Sequence, residues 1–176
     1  VKKRRNASPV ITVRAAPGAP HRAILTFGPL VFRAAIGRSG LTARKREGDG
    51  RTPIATMKLL GGYHAGTVPA SALRLVRTRA DTGWCDQPAS PAYNRPVRLP
   101  FRASHERLMR DDGIYDLVIV IDWNITSRSR NRGSAVFFHL ARPDFSGTAG
   151  CIAIAPAAMR VLLPHLRTGV RLVVRG

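Results

Sequence analysis

GSAVFFHLARPDFSGTAGCIAI, residues 133–154, decides the reading of this chain. Ala135 to His139 is an apolar run that reads as a core strand ending on a histidine. Thr148, Ala149 and Gly150 form a turn of small residues that stops at Cys151, where a second apolar run begins. Small residues let the backbone turn sharply, so that several N–H groups can face outward rather than pair within the chain. A thiol, an imidazole and a set of such amides are the parts that acyl transfer through a covalent intermediate needs. Cys151 is therefore the candidate nucleophile and His139 the candidate base. The amides of Ala149, Gly150 and Cys151 are the candidate oxyanion donors.

Two other readings of the same residues stand beside this one. A free cysteine packs well in a core, so Cys151 and His139 can be a buried thiol beside a satisfied structural histidine. A zinc site would have to recruit Cys85, Asp86, His64 or His105, and no close C-x₂₋₄-C or H-x₃₋₅-H pair is present. No metal ligand set and no cofactor is expected. Cys85 and Cys151 are the only two cysteines among 176 residues, and they are expected to be separate free thiols rather than a disulfide. Cys85 is expected to pack beside Trp84.

Around this segment the pattern is that of a mainly β single domain, a sandwich or flattened barrel with one or two short helices. Val10 to Arg14, Arg22 to Phe27 and Leu30 to Ile36 are short β-prone runs separated by Pro17-Gly18 and Gly28-Pro29, the spacing of a meander. Residues 37–53 are polar, basic and glycine-rich and read as a loop, followed by a strand from Ala55 to Leu60. Leu73 to Arg77 reads as another strand, and 86–100, with four prolines, as an irregular excursion. Ser104 is placed to cap a short helix through Arg110. Tyr115 to Ile121 is the continuous apolar run of a strand buried on both faces. Pro156 suits the first turn of a helix reaching Leu163, before a last strand from Val170 to Val174. Residues 1–9 read as a flexible basic arm and 10–176 as the domain.

The charge is the other feature that narrows the function. Twenty-nine Lys and Arg against ten Asp and Glu give a formal net charge of +19, which implies anionic surroundings or an anionic partner. The arginines are scattered, aromatic residues are few, and no helix-turn-helix, zinc-finger or RNP pattern is present, so no specific nucleic-acid partner is expected. A carboxylate-rich wall polymer is an equally suitable anion. Arg44, Lys45 and Arg46 either help draw in such a polymer or simply solvate their loop. No apolar stretch is long enough for a membrane helix, and no signal peptide is visible, because Asn6 to Pro9 interrupt the basic start.

Three segments carry a resemblance to a known family. They are EGDGRTPI at 47–54 with the strand that follows, YDLVIV at 115–120, and His139 followed twelve positions later by Cys151 in the turn TAGC. The chain resembles the YkuD-type L,D-transpeptidase catalytic domain family, in the branch related to the ErfK/YbiS proteins. The resemblance implies a cysteine nucleophile, peptidoglycan stem peptides as substrate and a periplasmic or wall-associated location; a monomer is expected. It implies attack on the third residue of a tetrapeptide stem, release of D-alanine, and a thioester that an amine resolves into a cross-link; water in the amine's place gives a carboxypeptidase. A catalytically inactive basic module binding an anionic polymer is the remaining reading. The resemblance also suggests that a carbonyl just after His139, that of Leu140, orients the imidazole. Arg142 is the candidate for holding a substrate carboxylate, and Tyr115 a further candidate substrate contact. Many relatives carry His before the Gly-Cys pair and Arg two places after the cysteine, where this chain has Ala149 and Ala153. Pairing with an imidazole is expected to lower the thiol pKa below the free value of ~8.5.

Overall fold

A computed structural model describes residues 10–176; the basic arm expected at 1–9 lies outside the described residues. Fourteen strands and one short helix follow in chain order. The first seven strands are β1 (Ile11–Ala15), β2 (Arg22–Phe27), β3 (Leu30–Ala35), β4 (Leu41–Thr42), β5 (Thr52–Pro53), β6 (Thr56–His64) and β7 (Leu75–Arg77). Then come β8 (Thr82–Cys85), β9 (Arg95–Arg98), β10 (His105–Arg107), β11 (Leu117–Ile121), β12 (Phe137–Leu140), β13 (Ile152–Ile154), α1 (Pro156–Leu162) and β14 (Arg171–Arg175).

The large sheet runs β11-β12-β13-β3-β2-β1-β14-β6-β7, and β11 also pairs with β6. That extra pairing closes eight strands into a barrel, which removes the open edges a sandwich would have kept. The barrel is filled by alternate residues of its strands, among them Ile11, Val13, Leu25, Leu59, Ile119, Ile121, Phe138 and Ile152, all buried. Helix α1 begins on Pro156, as its fixed φ favours, and sends Met159 and Leu162 into this core. The meander over β1 to β3 is as the sequence predicts: Gly28, at φ +56°, and Pro29 form a two-residue hairpin loop between the paired Phe27 and Leu30.

A second, three-stranded sheet, β10-β8-β9, covers the outside of the barrel next to β11 and β12. Strand β11 is thus buried on both faces: Leu117, Ile119 and Ile121 point into the barrel, while Val118 and Val120 point out toward Trp84 and Leu108. Two expectations are corrected here. The segment from Ser104 to Arg110 is not a helix; His105–Arg107 pairs antiparallel with Cys85, Trp84 and Gly83. Pairing with β8 outweighs the local capping signal of Ser104, because it satisfies the backbone and seats Leu108 in a buried cluster. The excursion at 86–100 is likewise not wholly irregular, since Arg95–Arg98 forms the other flank of that sheet.

Candidate active site

The parallel pairing of β12 with β13 sets the site. Phe138 pairs with Ile152, and both lie in the barrel core. Side chains alternate along a strand, so Phe137 and His139 on one strand and Cys151, just before the other, face the opposite way, with Phe137 and Cys151 in the seam under the small sheet. Tyr115 borders the same seam. Its ring stands edge-on to the His139 imidazole, with centroids 5.1 Å apart, and its hydroxyl donates to Glu106 at 2.8 Å.

The Nδ1 of His139 lies 2.9 Å from the carbonyl oxygen of Leu140, the bond that the family resemblance suggests. A carbonyl can only accept, so Nδ1 carries the proton and Nε2 presents the lone pair. Burial, reinforced by the charges of Arg142 and Arg110, lowers the imidazole pKa to about 4, which keeps it neutral and able to take a proton. The thiol departs from expectation. Cys151 is 5% exposed; its Sγ donates to the carbonyl of Ala135 at 3.2 Å and accepts from the amide of Phe137 at 3.3 Å. Burial first, and then the carboxylate of Glu106, push its pKa up to about 12, against the weaker pull of the Phe137 amide, Lys45 and Tyr115. The resting thiol is neutral because desolvation of a thiolate in this seam outweighs the cationic help it receives.

The glycine-rich loop at 37–53 is not the solvated loop that its composition suggests. Its two short strands β4 and β5 pair in parallel, and it packs against the turn that carries Cys151. Thr52 is fully buried and accepts from the amide of Gly37 at 2.8 Å; its hydroxyl lies 2.9 Å from the carbonyl oxygen of Gly150 and 3.3 Å from that of Cys151. Gly150 sits at φ +141°, and a Cβ there would stand 2.8 Å from the carbonyl oxygen of Arg51 and 3.4 Å from Nζ of Lys45. Lys45, 3% exposed, is ion-paired with Asp49 at 2.5 Å and donates to the carbonyl of Arg46 at 2.8 Å. Burial tends to raise the Asp49 pKa, but Lys45 and the amides of Arg46 and Arg51 outweigh it and hold the carboxyl below its usual value.

Of the three expected oxyanion donors, the amide of Gly150 is taken: it donates to the Thr148 hydroxyl oxygen at 3.1 Å. That leaves the amides of Ala149 and Cys151 as the candidates at this turn. Arg142 is exposed and reaches Asp112 at 3.1 Å, while Arg110 holds the same carboxylate at 2.7 Å. A cavity of about 670 Å³ opens beside Arg142, between Asp112 to Ile114, Gly66 to Pro69 and the helix residues Met159 and Arg160; neither Cys151 nor His139 lines it. Tyr115 is buried against His139 rather than presented to solvent. Ala153 packs with Ala35 and Ala141. Cys85 is a buried free thiol on β8, next to Trp84, and Cys151 is also free.

Sequence reasoning missed three residues of this neighbourhood: Glu106, Lys45 and Thr52. The acidic Asp49, four residues after Lys45, was the available sign that this one cation of the basic run is paired inward. Glu106 carried no such sign, because its position at the seam depends on β10 pairing with β8. Among the described residues no cluster of three or more His, Cys, Asp or Glu is arranged to hold a metal, and no helix is long and apolar enough to cross a membrane.

Comparisons with known proteins give the family of the chain. Among solved structures, the chain is similar to L,D-transpeptidase 1 of Mycobacterium tuberculosis, at 12% identity and a TM-score of 0.42 over 96% of this chain and 62% of that one. It is also similar to an L,D-transpeptidase of Mycobacterium smegmatis, at 14% identity and a TM-score of 0.41 over 96% and 59%. A third is L,D-transpeptidase 3 of Mycobacterium tuberculosis in complex with a faropenem-derived adduct, at 13% identity and a TM-score of 0.40 over 96% and 61%. The chain thus spans less than two thirds of the length of each of these proteins. No curated protein matches it. The model of the YkuD L,D-transpeptidase catalytic domain matches residues 24–174, nearly the whole chain and all of the barrel strands from β3 to β13, and the chain belongs to that family.

Proposed function

We propose that this chain is a cysteine-dependent L,D-transpeptidase that acts on peptidoglycan tetrapeptide stems outside the cytoplasm, as a monomer. The observation that carries the reading is that parallel pairing of β12 and β13 puts His139 and Cys151 on one face of adjacent strands, with the neutral imidazole's Nδ1 proton on the Leu140 carbonyl. The thiol first exchanges its bond to Ala135 for one to Nε2 of His139. Nε2 takes the proton as Sγ attacks the carbonyl of the third stem residue. The tetrahedral oxyanion turns toward the amides of Ala149 and Cys151. The imidazolium then protonates the departing amine, D-alanine leaves, and a thioester remains. Attack by an amine of a second stem breaks the C–S bond, forms the cross-link amide and returns the proton to the thiol through His139. In this reading Arg142, which lines the neighbouring cavity and is paired with Asp112, exchanges that partner for a substrate carboxylate. Water as acceptor gives the carboxypeptidase reaction at the same site.

The burial of the Cys151 thiol and its raised pKa favour a second reading, a catalytically inactive basic module that binds an anionic polymer. Incubation with a tetrapeptide-stem muropeptide, followed by mass spectrometry, separates the two. The enzyme reading expects D-alanine release and a Cys151-linked acyl adduct, both absent in Cys151→Ala. A carbapenem, which acylates an activated thiol by ring opening, supplies a faster probe of the same adduct. Neither adduct nor D-alanine release from the unaltered chain would sink the enzyme reading.

A further inference from the structure

On the outer side of the loop that carries Lys45, four guanidinium groups surround one cleft. Arg44 and Arg46 flank the buried Lys45, and Arg130 and Arg132 come from the segment that leads into β12. With Glu47 and Asn131 they line a cleft of about 580 Å³. All four arginines are exposed, and none forms an ion pair with an acidic side chain among the described residues. The one carboxylate in the lining, that of Glu47, is engaged by the hydroxyl of Tyr93.

Four like charges repel one another, so their proximity depends on fixed backbones. One wall is fixed by Asp49, which accepts from Lys45 at 2.5 Å, from the amide of Arg46 at 2.8 Å and from that of Arg51 at 2.9 Å. The other is fixed by Trp123, whose indole donates to the carbonyl of Arg132 at 2.8 Å, and by Asn124, whose amide donates to the carbonyls of Ser129 and Gly133 at 3.0 Å each. A bond of 3.0 Å from the amide of Glu47 to the carbonyl of Asn131 joins the walls. The cleft is thus held open as a cationic surface before any ligand arrives, which lowers the ordering cost of binding.

We propose that this cleft is a docking site for carboxylates of the peptidoglycan polymer, separate from the site where acyl transfer occurs; the choice of polymer rests on the transpeptidase reading. A guanidinium matches a carboxylate with two parallel hydrogen bonds, and a charge of +19 draws an anionic polymer toward the whole surface. The loop that carries Arg44 and Arg46 packs against the turn before Cys151: Lys45, between the two arginines, reaches the space beside Gly150. A polymer seated in the cleft is therefore held at the back of the turn that carries Cys151, while a stem enters at the thiol. Lys45 is turned inward, so it supports the turn and takes no part in docking.

Co-sedimentation of the unaltered chain with isolated peptidoglycan sacculi tests this without requiring turnover. The paired variants Arg44→Ala/Arg46→Ala and Arg130→Ala/Arg132→Ala should each weaken binding about tenfold at moderate salt, and their melting temperatures should match that of the parent. The control pair Arg171→Ala/Arg175→Ala removes two exposed arginines from β14 and should change binding less than twofold. Sacculi whose carboxyls have been amidated should bind the parent as weakly as ordinary sacculi bind the cleft variants. Equal losses in the cleft and control pairs would overturn the proposal in favour of diffuse charge. Undiminished binding to amidated sacculi would overturn it too, as would cleft-dependent binding to polyphosphate or nucleic acid with none to sacculi. If D-alanine release fails while cleft-dependent binding to sacculi persists, the enzyme reading falls and the docking site stands.

Discussion

At the scale of single residues, the site is a balance of buried charges around one thiol. Glu106 raises the proton affinity of Cys151, and Lys45 lowers it. Lys45→Met should therefore slow alkylation of Cys151 by iodoacetamide at every pH below the thiol pKa. It should also destabilise the fold by about 3 kcal/mol, since Asp49 loses the partner of its partly buried charge. Glu106→Gln should do the opposite to alkylation, and faster labelling in that variant is the check. The histidine gives a pH signature of its own. Its folded pKa is about 4 against 6.5 for the free group, so the unfolded chain binds the proton more readily than the fold does. The stability that depends on a neutral His139 is complete above about pH 6.5 and falls as the pH drops toward 4. The melting temperature should fall through that window, and the slope should be smaller in His139→Gln.

At the scale of elements, the decisive contact is between the loop at 37–53 and the turn at 148–151. Thr52 bridges them through the amide of Gly37 and the carbonyls of Gly150 and Cys151. Thr52→Val keeps the volume but leaves the Gly37 donor buried without its partner, at a cost of about 1 to 3 kcal/mol. Because the proposed oxyanion amides of Ala149 and Cys151 belong to the same turn, the proposed acyl transfer should fall by more than the loss of folded protein explains. Thermal unfolding together with adduct formation per folded molecule measures both. An undiminished adduct yield per folded molecule would remove Thr52 from the positioning of the turn. The strand signals of β11 and β12 were legible, since both appear as apolar runs near the expected positions, whereas the three-residue β13 was not expected as a strand. The pairing of β8 with β9 and β10 was not, because those segments carry prolines, charges and a helix-capping serine, and only contact with one another makes them strands.

At the scale of the whole molecule, closure of the barrel depends on β6. Its first part pairs with β14, its last part with β7, and its other edge with β11. Gly62 lies where β6 crosses β11, and a Cβ there would stand 2.0 Å from the carbonyl oxygen of Val118. Gly62→Ala should therefore force β6 away from β11 and cost about 1 to 3 kcal/mol, with the loss read from chemical denaturation. Since Val118 is paired with His139 on the far side of β11, the same shift is expected to disturb the imidazole.

The sequence by itself determined a mainly β domain, the strand that carries His139, the small-residue turn before Cys151 and the excess of positive charge. These are local properties: alternation, apolar runs, turn chemistry and composition are written in neighbouring residues. The tertiary structure alone decided that the barrel closes and that a charged glycine-rich loop buries Lys45 and Thr52 against the turn before Cys151. It also decided that Glu106 reaches the seam and that the thiol rests neutral. Each of these follows from groups far apart in the chain excluding water from a shared space, and desolvation is a property of that space rather than of any one residue.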